Sequence, residues 1–130
     1  TIGGMVINTA GVTLAHGMEH PASGLKNIVH GQGLAALTPV IIEASYKGNR
    51  EKFSKIARIM GGMTAEDCAT KIRTLLKKLD LDCTLSDLGI KEEDIPWMAE
   101  NCMKVSAAGV MNNPVVFLKE EIAEIYRKAL

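Results

Sequence analysis

Aromatic residues are scarce in this sequence: one Trp, two Tyr and two Phe, or 4% of 130 residues. Charge of one sign is also missing, because 15 basic residues are offset by 15 acidic ones. A nucleic-acid-binding module needs a basic face, commonly with stacking aromatics, so that partner class is excluded. Only three cysteines occur, Cys68, Cys83 and Cys102, and no two stand as a C-x-x-C pair. An odd, scattered set gives no disulfide framework and suits a reducing cytoplasmic compartment, with buried apolar packing as the default role of each thiol. No basic leader precedes the first apolar residues, which counts against a signal peptide. The apolar run to Ala15 is shorter than the ~20 residues of a membrane span and carries Asn8, Thr9 and Thr13, so no membrane partner is expected. It reads as a buried helix that begins inside a longer polypeptide.

Strict apolar–polar alternation is absent as well, and nearly every segment has helical period. The reading is one all-α domain over residues 1–130, a helical bundle with no repeat and no linker. A helix over 2–19 is rich in small residues (Gly3, Gly4, Ala10, Gly11, Ala15) that invite close packing, and Pro21 is expected to end it. After a loop over 21–30, Gly33 to Tyr46 is apolar almost all round, as in a central helix, with Pro39 kinking it or marking its start. Asn49 is placed to cap a helix whose shared face is Phe53, Ile56, Ala57 and Met60. Thr64 with Asp67 resembles a capping box ahead of the stripe Ala65, Ala69, Ile72, Leu76 and Leu79. Residues 80–90 form a connector, a helix covers about 92–105, 112–114 is a loop, and a last helix spans 119–129 with Ile122, Ile125, Tyr126 and Ala129 inward.

All three histidines, His16, His20 and His30, fall within fifteen residues. Positions four apart stand above one another on a helix, so His16 and His20 point together, and the following loop can return His30 to the same place. Imidazoles so gathered suit zinc, iron or nickel. The bland alternative is ordinary hydrogen-bonded histidines in a non-enzymatic helical interaction module. Two motif matches are weaker. His16-Gly17-Met18-Glu19-His20 fits the H-x-x-E-H pattern of zinc metallopeptidases, with Glu19 as base, but Pro21 interrupts the helix that chemistry requires. Gly31-Gln32-Gly33-Leu34-Ala35-Ala36 fits G-x-G-x-x-A with Glu51 twenty residues on, yet neither a preceding strand nor a βαβ unit is present. These glycines are expected to open a helix and allow close approach at a metal.

His16-Gly17-Met18-Glu19-His20-Pro21, followed by His30-Gly31, resembles the second signature of the iron-containing (group III) alcohol dehydrogenases, including the fourteen-residue step between two ligands. Leu85-Ser86-Asp87-Leu88-Gly89-Ile90, Asp94-Ile95-Pro96, Asn113-Pro114 and Glu124-Ile125-Tyr126 resemble that family's closing elements. The resemblance implies the C-terminal helical domain of the dehydroquinate synthase-like, iron-containing alcohol dehydrogenase fold. It implies His16 and His30 as ligands of a divalent metal, Fe2+ or Zn2+. An aspartate and a further histidine would come from an N-terminal domain that binds NAD or NADP and is absent here. His20 would be the non-ligand histidine beside nicotinamide and substrate, able to relay the alcohol proton. The implied reaction is reversible hydride transfer between a primary alcohol or aldehyde and NAD(P) in a homo-oligomeric enzyme, with the isolated segment inactive. Glu19 departs from the small residue common before the second histidine and is similar to the butanol dehydrogenase-like subset. Ala22-Ser23-Gly24, Val29 and Phe117-Leu118 also depart, the last pair removing a helix-capping threonine.

Overall fold

The computed structural model describes residues 1–130 and is entirely helical, without a strand. Eight α-helices follow in order: α1 (Ile2–Ala10), α2 (Leu14–Lys26), α3 (His30–Ser45), α4 (Arg50–Ile59), α5 (Asp67–Lys78), α6 (Ile95–Val105), α7 (Ala107–Met111) and α8 (Lys119–Ala129). Short 3-10 turns precede α4 at Tyr46–Asn49 and α6 at Glu92–Asp94. No helix is long and apolar enough to cross a membrane.

The helix read over 2–19 is two helices. Gly11 adopts φ 72°, a conformation that costs glycine little, and ends α1 there. None of α1 is buried, and Gly3 and Gly4 have no other side chain or backbone within 4 Å of a would-be Cβ. The close packing expected of these small residues is therefore not found at Gly3 or Gly4, whereas Ala15 does pack against the core. It appears also at Gly17, whose Cβ position lies 3.2 Å from Ser106 Cβ and 3.6 Å from Cys102 Sγ.

Pro21 does not end its helix; α2 runs five residues past it to a left-handed Asn27. Proline removes one N–H, at a cost of about 3 kcal/mol in a helix interior. Here α2 is clamped by α3, α6 and α7, and Ser23 Oγ reaches back across the proline to Glu19 Oε1. Tertiary contacts thus outweigh the local break. The loop read over 21–30 shrinks to Asn27–Val29, α3 starts at His30 and not Gly33, and Pro39 sits inside it.

The core follows from helical spacing. Leu14, Met18 and Ala22, four apart on α2, meet Leu37 and Ile41 of α3, Met98 and Cys102 of α6, and Ile122 and Tyr126 of α8 in one cluster. Burial holds the Cys102 thiol up at about 12, so it behaves as an apolar filler; Cys68 is also buried and Cys83 half-buried, all three unpaired. Tyr126 sinks its hydroxyl into this core, where it donates to the Met18 carbonyl at 2.5 Å. The tail helix is thereby tied to the backbone of the helix that carries two histidines.

Caps mark most of the remaining boundaries. Asn49 Oδ1 accepts from Lys52 N at 3.1 Å, as its position suggests. Asp67 Oδ2 accepts from Met63 N and Thr64 N, giving one half of the box read at Thr64. The start of α8 is held although threonine is absent, because Glu121 Oε2 accepts from Leu118 N at 2.8 Å. The inward face of α8 is as read, with Ile122, Ile125, Tyr126 and Ala129 all buried. The five-residue α7 has no counterpart in the sequence reading.

Candidate metal centre

Helix α2 sorts its side chains into three stripes. Leu14, Met18 and Ala22 enter the core; His16 and His20, two positions on, face away from it; Glu19 and Ser23 lie between and meet the start of α3. The Asn27–Val29 turn then delivers His30 at the first position of α3. The three rings converge: centroids lie 5.3 Å apart for His16–His30, 5.9 Å for His20–His30 and 6.1 Å for His16–His20. His16 is half-buried, whereas His20 and His30 are exposed.

Metal–nitrogen bonds of about 2 Å at a tetrahedral angle place two coordinating imidazole centroids about 5 Å apart. His16–His30 meets that spacing, and both pairs involving His20 are wider. Burial, then repulsion from His30 and His20, holds His16 below the ordinary imidazole value despite the opposing pull of Glu19. A neutral imidazole is the form that ligates.

Glu19 is the residue that sequence reasoning undervalued. Its side chain is fully buried, with Oε2 on His30 Nδ1 and Oε1 on Ser23 Oγ, which also lies 3.0 Å from the Ile28 carbonyl. Gly33 makes room for it: a Cβ there would stand 2.9 Å from Glu19 Cγ and Oε1. The close approach expected of the α3 glycines therefore occurs at the carboxylate, while Gly31 has nothing within 4 Å. The available signal was the Glu19–Ser23 spacing of four, one turn of a helix that Pro21 was expected to have ended.

Glu19, His20 and His30 also offer ligand atoms within 4.8 Å of one another. That grouping is compact because Glu19 already bonds His30, and a cation between them would displace this contact. Both Glu19 oxygens are engaged and the side chain is closed to solvent, which also removes it as a general base for peptide hydrolysis. The G-x-G-x-x-A match lies wholly within α3 and follows a turn after α2, so it lacks the strand of a dinucleotide loop.

A family model described as "Fe-containing alcohol dehydrogenase family, C-terminal" matches residues 1–130. The chain is 36% identical to the 1,3-propanediol dehydrogenase of Klebsiella pneumoniae and 31% identical to the lactaldehyde reductase of Escherichia coli strain K12, in each case over 98% of its own length and 35% of the relative's. Among solved structures it superposes on an alcohol dehydrogenase from Oenococcus oeni with a TM-score of 0.88 at 31% identity, covering 98% of this chain and 35% of that one. The chain thus spans about a third of the length of the relatives it matches. With fold and family model in agreement over the whole chain, it belongs to the Fe-containing alcohol dehydrogenase family, whose C-terminal part it represents.

Proposed function

We propose that this chain works as the C-terminal, metal-holding part of an NAD(P)-dependent alcohol dehydrogenase that interconverts a small primary alcohol and its aldehyde. The observation that supports the reading is the 5.3 Å approach of the His16 and His30 rings, a spacing that two imidazoles sharing one metal can adopt. A divalent cation, Fe2+ or Zn2+, would supply Lewis-acid polarisation of the substrate oxygen, and NAD or NADP the hydride chemistry. His16 and His30 would hold that cation together with an aspartate and a histidine from an N-terminal nucleotide-binding domain.

The chain's own residues do the positioning. His16, kept neutral by burial and by its neighbours' charge, presents a lone pair from the middle of α2. His30 presents its second nitrogen from the first turn of α3, its Nδ1 being occupied by Glu19. His20, exposed at the edge of the cluster, is the group placed to take or return the alcohol proton and to border the nicotinamide. The complete enzyme is proposed as a cytoplasmic homo-oligomer, and residues 1–130 alone as inactive, since two histidines make half a site.

The test is metal content and turnover of the complete polypeptide with His16→Ala or His30→Ala. The reading expects loss of bound metal and of alcohol oxidation in both, with secondary structure retained. Undiminished metal content in either variant would reject it, and so would alcohol turnover by residues 1–130 alone.

A further inference from the structure

Glu19 occupies His30 Nδ1, and it is the only acidic side chain that is fully buried. Burying an ionisable carboxylate is costly unless its oxygens are satisfied, and both oxygens here have a partner. Helix α3 also gives up a side chain at Gly33 to admit it. Glu19 Oε2 meets the His30 ring at Nδ1, so that nitrogen is engaged within the protein. Nε2 is then the ring nitrogen left with a free lone pair. Such a carboxylate–imidazole pair also fixes ring orientation and raises the basicity of the ligating nitrogen.

We infer that Glu19 is a positioning residue for the metal centre, locking His30 in the Nδ1–H tautomer so that Nε2 is the ligating atom, with Ser23 and Gly33 holding the carboxylate in place. This rests on the reading of His30 as a metal ligand. Glutamine keeps an acceptor for the Nδ1 proton and loses the charge, whereas alanine loses both.

The experiment uses the complete polypeptide stripped of metal, selectively labelled with 15N-histidine, and Zn2+ as the probe. Long-range 1H–15N spectra of the wild-type apoprotein should show His30 with its proton on Nδ1; a proton on Nε2 would overturn the inference without any variant. Competitive chelator titrations should give Zn2+ binding weakened about 10–100-fold in Glu19→Ala, and less in Glu19→Gln and Ser23→Ala. Wild-type affinity in Glu19→Ala would overturn it too. If Glu19→Ala fails to fold, the wild-type tautomer and Glu19→Gln still decide. His16→Ala and His30→Ala separate the two levels. Loss of Zn2+ there with none in Glu19→Ala sinks this inference alone, whereas unchanged Zn2+ affinity in both sinks the metal-site reading beneath it.

Discussion

Replacing Gly33 by alanine sets helix propensity against packing, and Gly31→Ala provides the control two residues away on the same helix. At a site with room, Gly→Ala stabilises by about 0.4–1 kcal/mol, chiefly by restricting the unfolded chain. Gly31 is such a site, because nothing lies within 4 Å of its Cβ position. At Gly33 the new methyl would stand 2.9 Å from both Cγ and Oε1 of Glu19 and 3.3 Å from Cδ. A free glutamate would swing aside cheaply. This one is fully buried and held at both oxygens, so relief means breaking the His30 or Ser23 contact or shifting α2 from α3. Overpacking of this kind costs about 1–3 kcal/mol, which exceeds the propensity gain. A chain of this size moves roughly 3–6 °C in Tm per kcal/mol. Calorimetry should therefore show Tm raised by about 2–5 °C in Gly31→Ala and lowered by about 3–10 °C in Gly33→Ala. Equal stabilisation by the two alanines would refute the claim that Glu19 is clamped against α3.

Tyr126→Phe strips the donor from the Met18 carbonyl and should cost about 0.5–1.5 kcal/mol in urea unfolding. Asn49→Ala removes the acceptor for Lys52 N and should cost about 1 kcal/mol, with the loss of helicity confined to α4. The backbone N–H groups of Thr64 and then Met63 hold the Asp67 carboxyl below the usual carboxylate range. Its ionised form is thus favoured by folding, and the stability it lends is complete above about pH 4 and lost as pH falls through the lowered folded value. Asp67→Asn should flatten the acid limb of a Tm–pH profile while leaving its neutral region nearly level.

What the sequence made legible was whatever depends on local period. The inward face of α8, the Asn49 cap and the pairing of His16 with His20 all follow from spacing along a helix, and all are present. What escaped depends on contacts between helices. Pro21 carries a strong local signal for termination, but the packing of α2 among α3, α6 and α7 overrides it. That single misjudgement lengthened the loop, delayed the start of α3, and hid the fact that Glu19 and Ser23 share a helix face. The small residues of α1 were legible as a packing surface, yet nothing lies within 4 Å of the Cβ positions of Gly3 and Gly4. The contact between Glu19 and Gly33, fourteen residues apart, had no signature in either residue alone.

Anomalous diffraction from crystals of the complete polypeptide grown with Zn2+ bears most directly on the metal centre. The account predicts a peak about 2 Å from a ring nitrogen of both His16 and His30, with His20 outside the coordination shell. A peak bonded to Glu19 and His20, or a cation that leaves His16 uncoordinated, would contradict it.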